Sequence, residues 1–595
     1  MTTLRTPCGA PRPVDVGKTM TVYGWVNRWR DQGGLIFLDL RDHSGILQIV
    51  LNPQTSPAAH AAAHGVRNEW VLRVDGELRM RDAEHVNTNL ETGEVELHAG
   101  VCEVLAVAKT PPFAVNEDAE VEEQLRLRYR YLDLRRPRLQ RNLRARARFI
   151  AVIRTAMVEQ GFIEVETPMM IRATPEGARD YLVPSRVFPG SFYALPQSPQ
   201  LYKQLSMVAG VDRYFQIARC MRDEDQRADR QPEFTQLDLE MSFVDEDDVF
   251  AAVEHAISSA WNACEFRGSP VTTPFPRIPW PEAMERYGVD KPDTRFGMHL
   301  CDLTDVARTS GFRVFADAVA SGGVVKAIRV EGGDDLTWSE IEGRLLDIAR
   351  AVKAKGLAYL WKRADGWQSG IAKFFTADEL EAIGAATGAQ VGDCVLMVAD
   401  RSGIAAAALG ALRNHLGRER KLYGSERVDM LWITNFPMFE RSEETGEITP
   451  AHHPFTMVNP DDLDKLESDP LSVRSRAYDL VVNGHEVASG SIRITDPDVQ
   501  RRVFAAIGID REQARRKFGF LLEAFEYGAP PHGGCAPGID RLVMEGLGEE
   551  NIRDVIAFPK NQQAQEVMTD APAPVDESQL RELGLALLPR AREPQ

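Results

Sequence analysis

A heavily charged loop lies between two strand-like segments at residues 214–219 and 234–243, and it constrains the fold more than any other part of this sequence. Both flanking segments alternate with the period of a strand, so the sequence predicts a β-hairpin. The loop is rich in arginine and acidic residues, and arginine pairs favourably with phosphate groups. The pattern alone leaves two interpretations open, a loop that binds an anionic ligand and a solvated hairpin tip.

Short strand-like segments dominate the N-terminal part of the chain. They lie at residues 21–27, 35–40, 47–51, 70–76 and 94–98. Five short strands with few helical patterns favour a small closed barrel, such as the five-stranded oligonucleotide-binding (OB) fold. Its candidate binding surface contains Arg28, Arg30, Phe37 and Gln48, because basic and aromatic side chains together hold unpaired bases. An alternative interpretation places Phe37 in the core of the barrel.

The charge of the chain is unevenly distributed. The 595 residues suffice for several domains, and their net charge of −18 argues against a polyanionic partner when taken as a whole. Between residues 126 and 148, however, ten arginines accompany one acid, Asp133. They are arginines 126, 128, 130, 135, 136, 138, 141, 144, 146 and 148. This segment favours a nucleic acid or another polyanion as partner over a solvated surface.

The sequence gives no sign of export or of a membrane partner. The N-terminus has no apolar signal-like region, and no apolar run approaches the roughly 20 residues needed to span a bilayer. The seven cysteines form no Cys-x-x-Cys pair, so neither a disulfide framework nor a zinc site is expected. These features predict a cytoplasmic protein.

Three further segments combine charged residues with glycine or proline. Residues 161–168 lead from a helix into a strand that ends in proline, residues 484–493 place an acid and an arginine seven apart, and residues 533–541 run from a glycine-rich turn into a helix. Glycine lets a ligand approach the backbone, and arginine can hold a phosphate. Each segment alone is weak evidence of function.

In this order, the segments at 161–168, 220–240 and 533–541 resemble the three motifs of class II aminoacyl-tRNA synthetases, with motif 1 ending at Pro168 and motif 3 at Arg541. Longer strings, such as Arg130-Tyr-Leu-Asp-Leu-Arg135, resemble the bacterial type of aspartyl-tRNA synthetase. The other strings lie at residues 174–180, 193–200, 222–225, 230–236, 452–456 and 528–532. The resemblance extends over nearly the whole chain.

The resemblance implies an α+β protein whose catalytic domain is built on an antiparallel sheet. The implied domains are an OB-fold anticodon-binding domain (1–112), an arginine-rich hinge (113–145), a catalytic domain in two parts (146–290 and 425–562), an inserted α/β module of the GAD-like type (291–424) and a C-terminal extension (563–595). A homodimer formed through the motif 1 surface is also implied.

The implied activity is that of an aspartate–tRNA ligase. The carboxylate of L-aspartate attacks the α-phosphate of ATP, and the aspartyl group then passes to the 3′ end of tRNA(Asp). No side chain acts as nucleophile, so catalysis depends on positioning and charge stabilisation. Arg222, Glu486 and Arg541 would be the catalytic residues. Glu486 would also hold Mg²⁺ through its oxygen ligands, and its alternative is a role as an ordinary surface strand residue.

The resemblance also implies which residues bind the two small substrates. Those for ATP would be Arg222, Asp223, Glu224, Gln231, Glu486, Gly538, Ile539, Asp540 and Arg541. Those for aspartate would be Glu176, Gln200, Lys203, Arg222, Asp238, His452, His453 and Arg493. Lys203 and Arg493 would hold the side-chain carboxylate, so asparagine should bind far more weakly. For the two histidines, a packed or capping role in the loop is the alternative.

For tRNA, the implied anticodon-binding residues lie in the barrel. They are Arg28, Arg30, Gln32, Phe37, Gln48 and Glu96, with Phe37 stacking on a base. Gln32 stands where members strict for tRNA(Asp) often carry leucine and relaxed members often carry histidine. An alternative function is therefore a non-discriminating enzyme that also charges tRNA(Asn). A non-catalytic tRNA-binding relative is disfavoured, because Arg222, Glu486, Arg493 and Arg541 are all present.

The chain departs from the family pattern at two sites. Ala488 and Ser489 stand where the family usually has glycine, and Pro537 stands where an aromatic residue is common. Neither departure removes a charged group, so we expect activity to persist.

Overall fold

The computed structural model describes residues 5–117, 119–173, 178–225, 228–442 and 445–588. The chain divides into two compact units. The first contains Met1–Arg144, Ala557–Asn561 and Gln565–Pro572, and the second contains Ala145–Ile556, Gln562–Ala564 and Ala573–Gln595. Within the described ranges no helix is both long and apolar enough to cross a lipid bilayer.

A closed five-stranded barrel forms most of the first unit. Its strands are Thr19–Gln32, Leu35–Asp42, Gly45–Leu51, Val71–Met80 and Val95–Ala106. In that numbering they pair in the order 1-2-3-5-4, and pairing of strand 1 with strand 4 closes the barrel. The short strand Arg5–Thr6 adds to strand 1, and the helix Pro57–Ala63 follows strand 3. The predicted OB-fold barrel is confirmed.

Strand alternation decides the position of Phe37. In Leu35–Asp42, the side chains of Ile36, Leu38 and Leu40 are fully buried in the barrel core. Phe37 is only partly buried and points to the opposite face, because neighbouring residues of a strand face opposite sides. The alternative that placed Phe37 in the core is therefore wrong.

The arginine-rich segment is partly committed to internal ion pairs. Its helices are Glu123–Arg128, Arg130–Asp133 and the start of Pro137–Glu159. The Asp133 carboxylate is fully buried and lies 3.2 Å from Arg126 Nε, 2.6 Å from Arg130 Nη1 and 3.5 Å from Arg136 Nη1. A buried carboxylate needs such partners to remain charged. The sequence had favoured a polyanionic partner for the whole segment. That expectation is wrong for these three arginines, which pair with Asp133 instead.

An eight-stranded sheet organises the second unit. In spatial order its strands are Arg277–Pro279, Met430–Thr434, Ala477–Val482, His485–Ile492, His532–Cys535, Glu233–Ser242, Arg213–Met221 and Ile163–Glu164. The six central strands are antiparallel, as expected, whereas the pair at each edge is parallel. The predicted charged hairpin is the antiparallel pair Arg213–Met221 and Glu233–Ser242.

Helices cover one face of this sheet and form the main core. The helix Glu246–Ala263 buries Val249, Val253, Ile257 and Trp261, a spacing that places them on one side of a helix. The helices Pro137–Glu159 and Ile539–Leu547 contribute to the same core. This packing fixes the sheet on which the charged hairpin lies.

A separate five-stranded sheet lies within residues 300–400. Its strands in spatial order are Leu300–Asp302, Val324–Val330, Asp393–Asp400, Ala358–Arg363 and Gly366–Gln368, and all neighbours are antiparallel. Its helices are Thr304–Arg308, Arg313–Ala320, Trp338–Glu340, Leu346–Ala351, Ala377–Thr387 and Ser402–Glu419. The sequence pattern at residues 391–398 had indicated one of these strands.

The remaining elements are short. The helices are Gln200–Val208, Trp280–Tyr287, Pro497–Ala506, Arg511–Phe525 and Glu577–Glu582. Two-stranded sheets pair Leu182–Pro184 with Phe192–Ala194 and Phe439–Arg441 with Ile448–Pro450. The short helix near the C-terminus was predicted from the sequence.

Candidate active site

A cavity of about 1140 Å³ lies beside the charged hairpin. The cavity is lined by thirteen of the residues predicted to bind aspartate or ATP. They are Gln200, Lys203, Arg222, Glu224, Gln231, Asp238, His452, His453, Glu486, Arg493, Gly538, Asp540 and Arg541. Asp223 and Ile539 do not line it, and Glu176 lies outside the described residues. Residues far apart in the sequence therefore converge on one site.

Lys203, Asp238 and Arg493 line one part of the cavity, and Glu240, which does not line it, contacts Lys203 and Arg493; these four residues are called here the buried end. Lys203 Nζ lies 2.8 Å from Asp238 Oδ1 and 3.2 Å from Glu240 Oε2. Arg493 Nε lies 2.9 Å from Glu240 Oε1, and its Nη2 lies 3.2 Å from Glu240 Oε2. None of the four side chains is more than 5% exposed. Two cations and two carboxylates thus balance one another away from water.

The two carboxylates at the buried end differ in how well they are compensated. Burial alone would raise the pKa of Glu240, but Arg493 and Lys203 lower it to about 2. Burial raises the pKa of Asp238 by more than Lys203 lowers it. Among the described residues, Asp238 Oδ2 accepts no hydrogen bond. Asp238 is therefore the acid at this end that gains most from an additional cation.

Glu240 was not predicted as a site residue. It lies on the same face of its strand as Asp238, and this alternation is the signal that could have indicated it. Space for its carboxylate depends on Gly534 of the neighbouring strand, because a Cβ there would lie 2.0 Å from Glu240 Oε2. Gly490 has a similar role, because a Cβ there would lie 2.3 Å from Gly534 O.

The two adjacent histidines line the cavity, and their pKa values shift in opposite directions. Burial, with Arg493 and Lys203 nearby, lowers the pKa of His453 to about 3, and its Nδ1 accepts a hydrogen bond from the Phe455 N–H at 3.2 Å. Burial would also lower the pKa of His452, but Asp479, whose Oδ2 lies 3.6 Å from His452 Nε2, raises it overall. His453 is therefore neutral near pH 7, whereas Asp479 favours the protonated form of His452.

A second part of the cavity, called here the open end, consists of Asp229, Lys291, Glu486 and Arg541. Arg541 Nη1 donates to Glu486 O at 2.7 Å, and Arg541 Nη2 lies 3.1 Å from Asp229 Oδ2. Lys291 Nζ lies 3.8 Å from Glu486 Oε2. The four side chains are between 22% and 48% exposed. Their charges therefore remain accessible to a ligand.

The surroundings of Glu486 disfavour the charged form of its carboxylate. Burial within the cavity walls and the charge of Asp479 raise its pKa, against the opposing effects of Lys291, Arg541 and His452. A carboxylate held in this way gains from a nearby cation. Among the described residues, no group of three or more His, Cys, Asp or Glu side chains could hold a metal ion unaided.

Arg222 extends from the charged hairpin into the cavity. Its backbone N–H donates to Pro232 O at 2.8 Å, and its guanidinium lies 5.1 Å from the centre of the Phe234 ring. Its Nε donates to Gln197 O at 3.4 Å. These contacts come from the second strand of the hairpin and the residue before it, and from the segment before helix Gln200–Val208, so the guanidinium has a defined position.

Some predicted ATP-binding residues have structural partners. The Asp540 carboxylate accepts from the Thr235 N–H at 2.7 Å and pairs with Arg146, although the residue borders the cavity. Ile539 is fully buried in the main core. Asp223 lies 3.6 Å from Arg179 Nε. The contacts of Asp540 indicate that its carboxylate holds helix Ile539–Leu547, called here the motif 3 helix, against the hairpin.

The two departures from the family pattern contribute through their backbones. Ser489 O accepts a hydrogen bond from the Ala536 N–H at 2.9 Å, and Pro537 O accepts one from the Leu237 N–H at 2.8 Å. Helix Ile539–Leu547 begins two residues after Pro537. Neither side chain displaces a charged group of the cavity.

The predicted anticodon-binding residues form a polar network on the outer face of the barrel. Arg30 Nη2 donates to Asp39 Oδ1 at 2.8 Å and to Gln48 Oε1 at 3.4 Å, and Gln48 Nε2 donates to Glu96 Oε2 at 2.8 Å. Phe37 pairs with Arg30 across the strands. Asp39 shares this face, although it was not among the predicted anticodon-binding residues.

Arg28 and Gln32 lie on the same barrel strand as Arg30. Arg28 is opposite Asp39, and the exposed Gln32 is opposite Leu35 at the end of the hairpin. His98 Nε2 lies 2.9 Å from Glu96 Oε1 and extends the network beyond the predicted set. Aromatic, basic and amide groups are thus presented together, which suits unpaired bases.

Comparisons with known proteins match both the sheet-containing part of the chain and the N-terminal barrel. Residues 122–562 match the family model of tRNA synthetases class II (D, K and N), and residues 20–105 match the OB-fold nucleic acid binding domain. The chain is 51% identical over 580 residues to the aspartate–tRNA(Asp/Asn) ligase of Anoxybacillus flavithermus, with 98% of each chain covered. It is also 51% identical over 581 residues to the aspartate–tRNA ligase of Geobacillus kaustophilus, again with 98% of each covered.

Solved structures share the fold at lower identity. The asparaginyl-tRNA synthetase of Pyrococcus horikoshii, complexed with asparaginyl-adenylate, is 20% identical with a TM-score of 0.59, over 93% of this chain and 97% of that one. The aspartyl tRNA synthetase of Entamoeba histolytica is 19% identical with a TM-score of 0.56, over 94% and 92%. The chain belongs to the class II tRNA synthetases and, within them, to the family of bacterial aspartate–tRNA ligases.

Proposed function

We propose that this protein uses ATP to activate L-aspartate as aspartyl-adenylate and transfers the aspartyl group to the 3′ end of tRNA(Asp). One observation carries the proposal: the buried end places Lys203 and Arg493 beside Asp238, in a cavity that also contains Arg222 and Arg541. Such an arrangement offers cations for a carboxylate, an acid for an ammonium group and further cations for phosphates.

The buried end supports selection of aspartate. Arg493 donates two hydrogen bonds to Glu240 and one to Ser491. Its guanidinium has further N–H donors for a substrate carboxylate. Asp238 has an oxygen without a hydrogen bond among the described residues, which suits the substrate ammonium. Asparagine would leave a donor of Arg493 or Lys203 facing an amide N–H, so it should bind much more weakly.

The activation step needs charge stabilisation at phosphorus. A carboxylate oxygen of aspartate attacks the α-phosphorus of ATP, and the bond from phosphorus to the pyrophosphate oxygen breaks. Arg222 and Arg541 would neutralise the negative charge that develops on the phosphate oxygens. Because both guanidinium groups are already held by protein contacts, little reorganisation is required during the step.

Mg²⁺ fits the open end as a partner of ATP. Glu486 would hold it, because burial and the neighbouring carboxylate of Asp479 raise the pKa of Glu486, and a cation would offset both effects. Bound there with ATP, the ion would supply positive charge to the phosphates. Because the described residues include no group of three or more candidate ligands, oxygen atoms of ATP would have to supply part of its coordination.

Exchange of labelled pyrophosphate into ATP tests the activation step. We expect exchange that requires L-aspartate and is absent with L-asparagine. No exchange with aspartate would contradict the proposal and would revive the non-catalytic tRNA-binding alternative.

A second candidate function is charging of both tRNA(Asp) and tRNA(Asn). It is favoured by relatives named aspartate–tRNA(Asp/Asn) ligase. Gln32 favours neither function, because it matches neither of the residues common at its position. Charging assays with each purified tRNA distinguish the two functions. Undetectable Asp-tRNA(Asn) would eliminate the relaxed version.

A homodimer is supported by an exposed apolar surface next to motif 1. Met170, Leu182, Val187 and Phe188 are between 57% and 67% exposed, and the last three belong to or adjoin one two-stranded sheet. The strand Ile163–Glu164 at the sheet edge leaves Ile163 57% exposed. Exposed apolar surface of this kind usually marks a protein–protein interface.

Light scattering tests the homodimer. It should give twice the 66.4 kDa chain mass, whereas a monomer at micromolar concentration would contradict the dimer.

A cytoplasmic location is supported by the cysteines. All seven are free thiols, and burial raises the pKa of Cys102 to about 11 and of Cys535 to about 12. Such thiols stay protonated and unreactive in a reducing compartment. Cell fractionation would test this location.

A further inference from the structure

The cavity extends beyond the two ends described above into a third region, called here the side cleft. It is lined by Arg267, Arg295, Asn414, Arg418 and Tyr423. The last four come from residues 291–424, the segment inserted between the two parts of the catalytic sheet. At about 1140 Å³ the whole cavity is at the upper limit of small-molecule sites. The side cleft therefore provides room beyond that needed for aspartate and the nucleoside.

The motif 3 helix links the open end to the side cleft. Arg541 lies in the first turn of Ile539–Leu547, and Gly548 at the other end of the helix also lines the cavity. Seven residues of helix span about 10 Å. A ligand group that passes beyond Arg541 along this helix reaches the side cleft.

Most cations of the side cleft already have a carboxylate partner. Arg267 Nη2 lies 2.6 Å from Glu545 Oε2, and Arg295 Nη2 lies 2.7 Å from Asp293 Oδ2. Arg295 also stacks on the Tyr423 ring at 3.7 Å from its centre. These pairs make rigid walls and leave little charge for a ligand.

Arg418 is different. Its side chain is exposed, and in the part of the chain that the structure describes no carboxylate lies within ion-pair distance of it. The acid next to it, Glu419, pairs with Arg344 at 2.6 Å, and the neighbouring Arg420 pairs with Asp335. Arg418 thus presents its full charge to the cavity.

The inserted segment holds the helix of Arg418 in place. Arg413, fully buried on helix Ser402–Glu419, donates from Nη2 to Asp293 O and Phe296 O at 2.8 Å and to Gly297 O at 2.9 Å. Gly417 lets the Phe296 ring approach, because a Cβ there would lie 2.3 Å from that ring. The helix end that carries Arg418 is therefore fixed against the cavity wall.

We infer that Arg418 binds the pyrophosphate released when aspartate is activated. With aspartate at the buried end, the leaving group of an in-line displacement departs on the opposite side of the phosphorus. The inference assigns that side to the open end, whose cations suit phosphates, and to the side cleft that adjoins it along helix Ile539–Leu547. This inference rests on the proposed function, and it gives the inserted segment a role in the first step of the reaction.

Aspartate-dependent exchange tests the inference directly, because pyrophosphate is a substrate in that assay. In Arg418→Ala we expect the KM for pyrophosphate to rise about fivefold, because a favourable exposed ion pair strengthens binding by about that factor. The KM values for aspartate and tRNA should stay unchanged. Inhibition of aminoacylation by added pyrophosphate should weaken by the same factor, and Arg418→Lys should recover part of both effects.

The matched control is Arg420→Ala, which removes the same charge from the same helix end outside the cavity lining. It should leave every KM unchanged. An unchanged KM for pyrophosphate in Arg418→Ala would overturn the inference. A rise in the KM for tRNA alone would also overturn it, and would assign Arg418 to RNA. If wild-type protein shows no aspartate-dependent exchange, the proposed function itself fails.

Discussion

The buried end and the open end of the cavity hold similar charged groups in different surroundings. At the buried end, Lys203 and Arg493 are at most 5% exposed and already paired with Asp238 and Glu240. At the open end, Arg541 and Glu486 are 22% and 39% exposed. The charges of the buried end are shielded from water and balance one another, whereas those of the open end are accessible to a ligand that changes during the reaction.

This difference matches two chemical tasks. Selection of one amino acid requires fixed groups, since an unpaired buried group penalises the wrong substrate heavily. Phosphates that arrive, react and leave require cations that solvent and ligand can reach. We therefore expect substitutions at the buried end to cost more than those at the open end.

The largest effect is expected for Arg493→Leu. The change leaves Glu240 and the substrate carboxylate without their main cation, and loss of one partner of a buried pair costs about 4 kcal/mol. The kcat/KM for aspartate in pyrophosphate exchange should fall about 10³-fold, with the KM for ATP little changed. Arg502→Ala, at a surface ion pair, is the control. Wild-type kinetics in Arg493→Leu would refute the assigned role.

The next effect concerns stability and its dependence on pH. The pKa of Glu240 is about 2 in the folded protein against a usual 4.5, so its stabilising contribution is complete above about pH 4.5 and is lost as the pH falls towards 2. We expect Glu240→Gln to lower the free energy of unfolding by about 3 kcal/mol at pH 7. Urea titrations followed by tryptophan fluorescence should show this difference narrowing below pH 4.5.

A control for this experiment is Glu440→Gln, which alters an exposed glutamate on a short surface strand. It should match the wild type at every pH. A Glu240→Gln difference that stays constant down to pH 3 would mean that the Glu240 charge is not the stabilising element.

A smaller effect is expected for Arg541→Ala. The guanidinium is partly exposed and its lost contacts can be replaced by water, so we expect about 2 kcal/mol, or roughly a 30-fold rise in the KM for ATP. The KM for aspartate should change less than threefold. Steady-state exchange kinetics with each substrate varied in turn would measure both values. An equal loss for both substrates would show that the two ends are not separable.

The smallest effect is expected for Asp229→Asn. It removes the carboxylate that pairs with Arg541 at 3.1 Å but leaves the backbone contact of Arg541 with Glu486 O. A partly exposed ion pair contributes at most about 1 kcal/mol. We expect the KM for ATP to change no more than about threefold, in either direction. A tenfold change would show that Asp229 takes part in ATP binding.

Local pattern was sufficient to predict much of the fold. The charged hairpin and the barrel strands were predicted because strand alternation is visible within a few residues. Thirteen of the residues that line the cavity were predicted, because the chain resembles a known family at those positions. Their convergence then depends on the sheet, which orders strands from distant parts of the sequence.

Partners distant in the sequence were not predictable. Glu240 and Arg493 are 253 residues apart, and Asp540 and Arg146 are 394 apart. No local pattern indicates that these charges meet in the interior, where an ion pair replaces water. For the same reason the sequence could not distinguish arginines that face a ligand from arginines that hold the protein together.

The arginine-rich segment shows what that distinction means for RNA binding. Besides the three arginines around Asp133, Arg135 Nη1 lies 3.0 Å from Glu69 Oε2 and Arg146 pairs with Asp540. An arginine held by a carboxylate releases no counterion from a phosphate, whereas each one that reaches a phosphate steepens the dependence of log K on log[salt] by about 0.7 to 0.9. Five of the ten arginines in this segment are held by carboxylates, so at most five can contribute to the salt dependence of RNA binding.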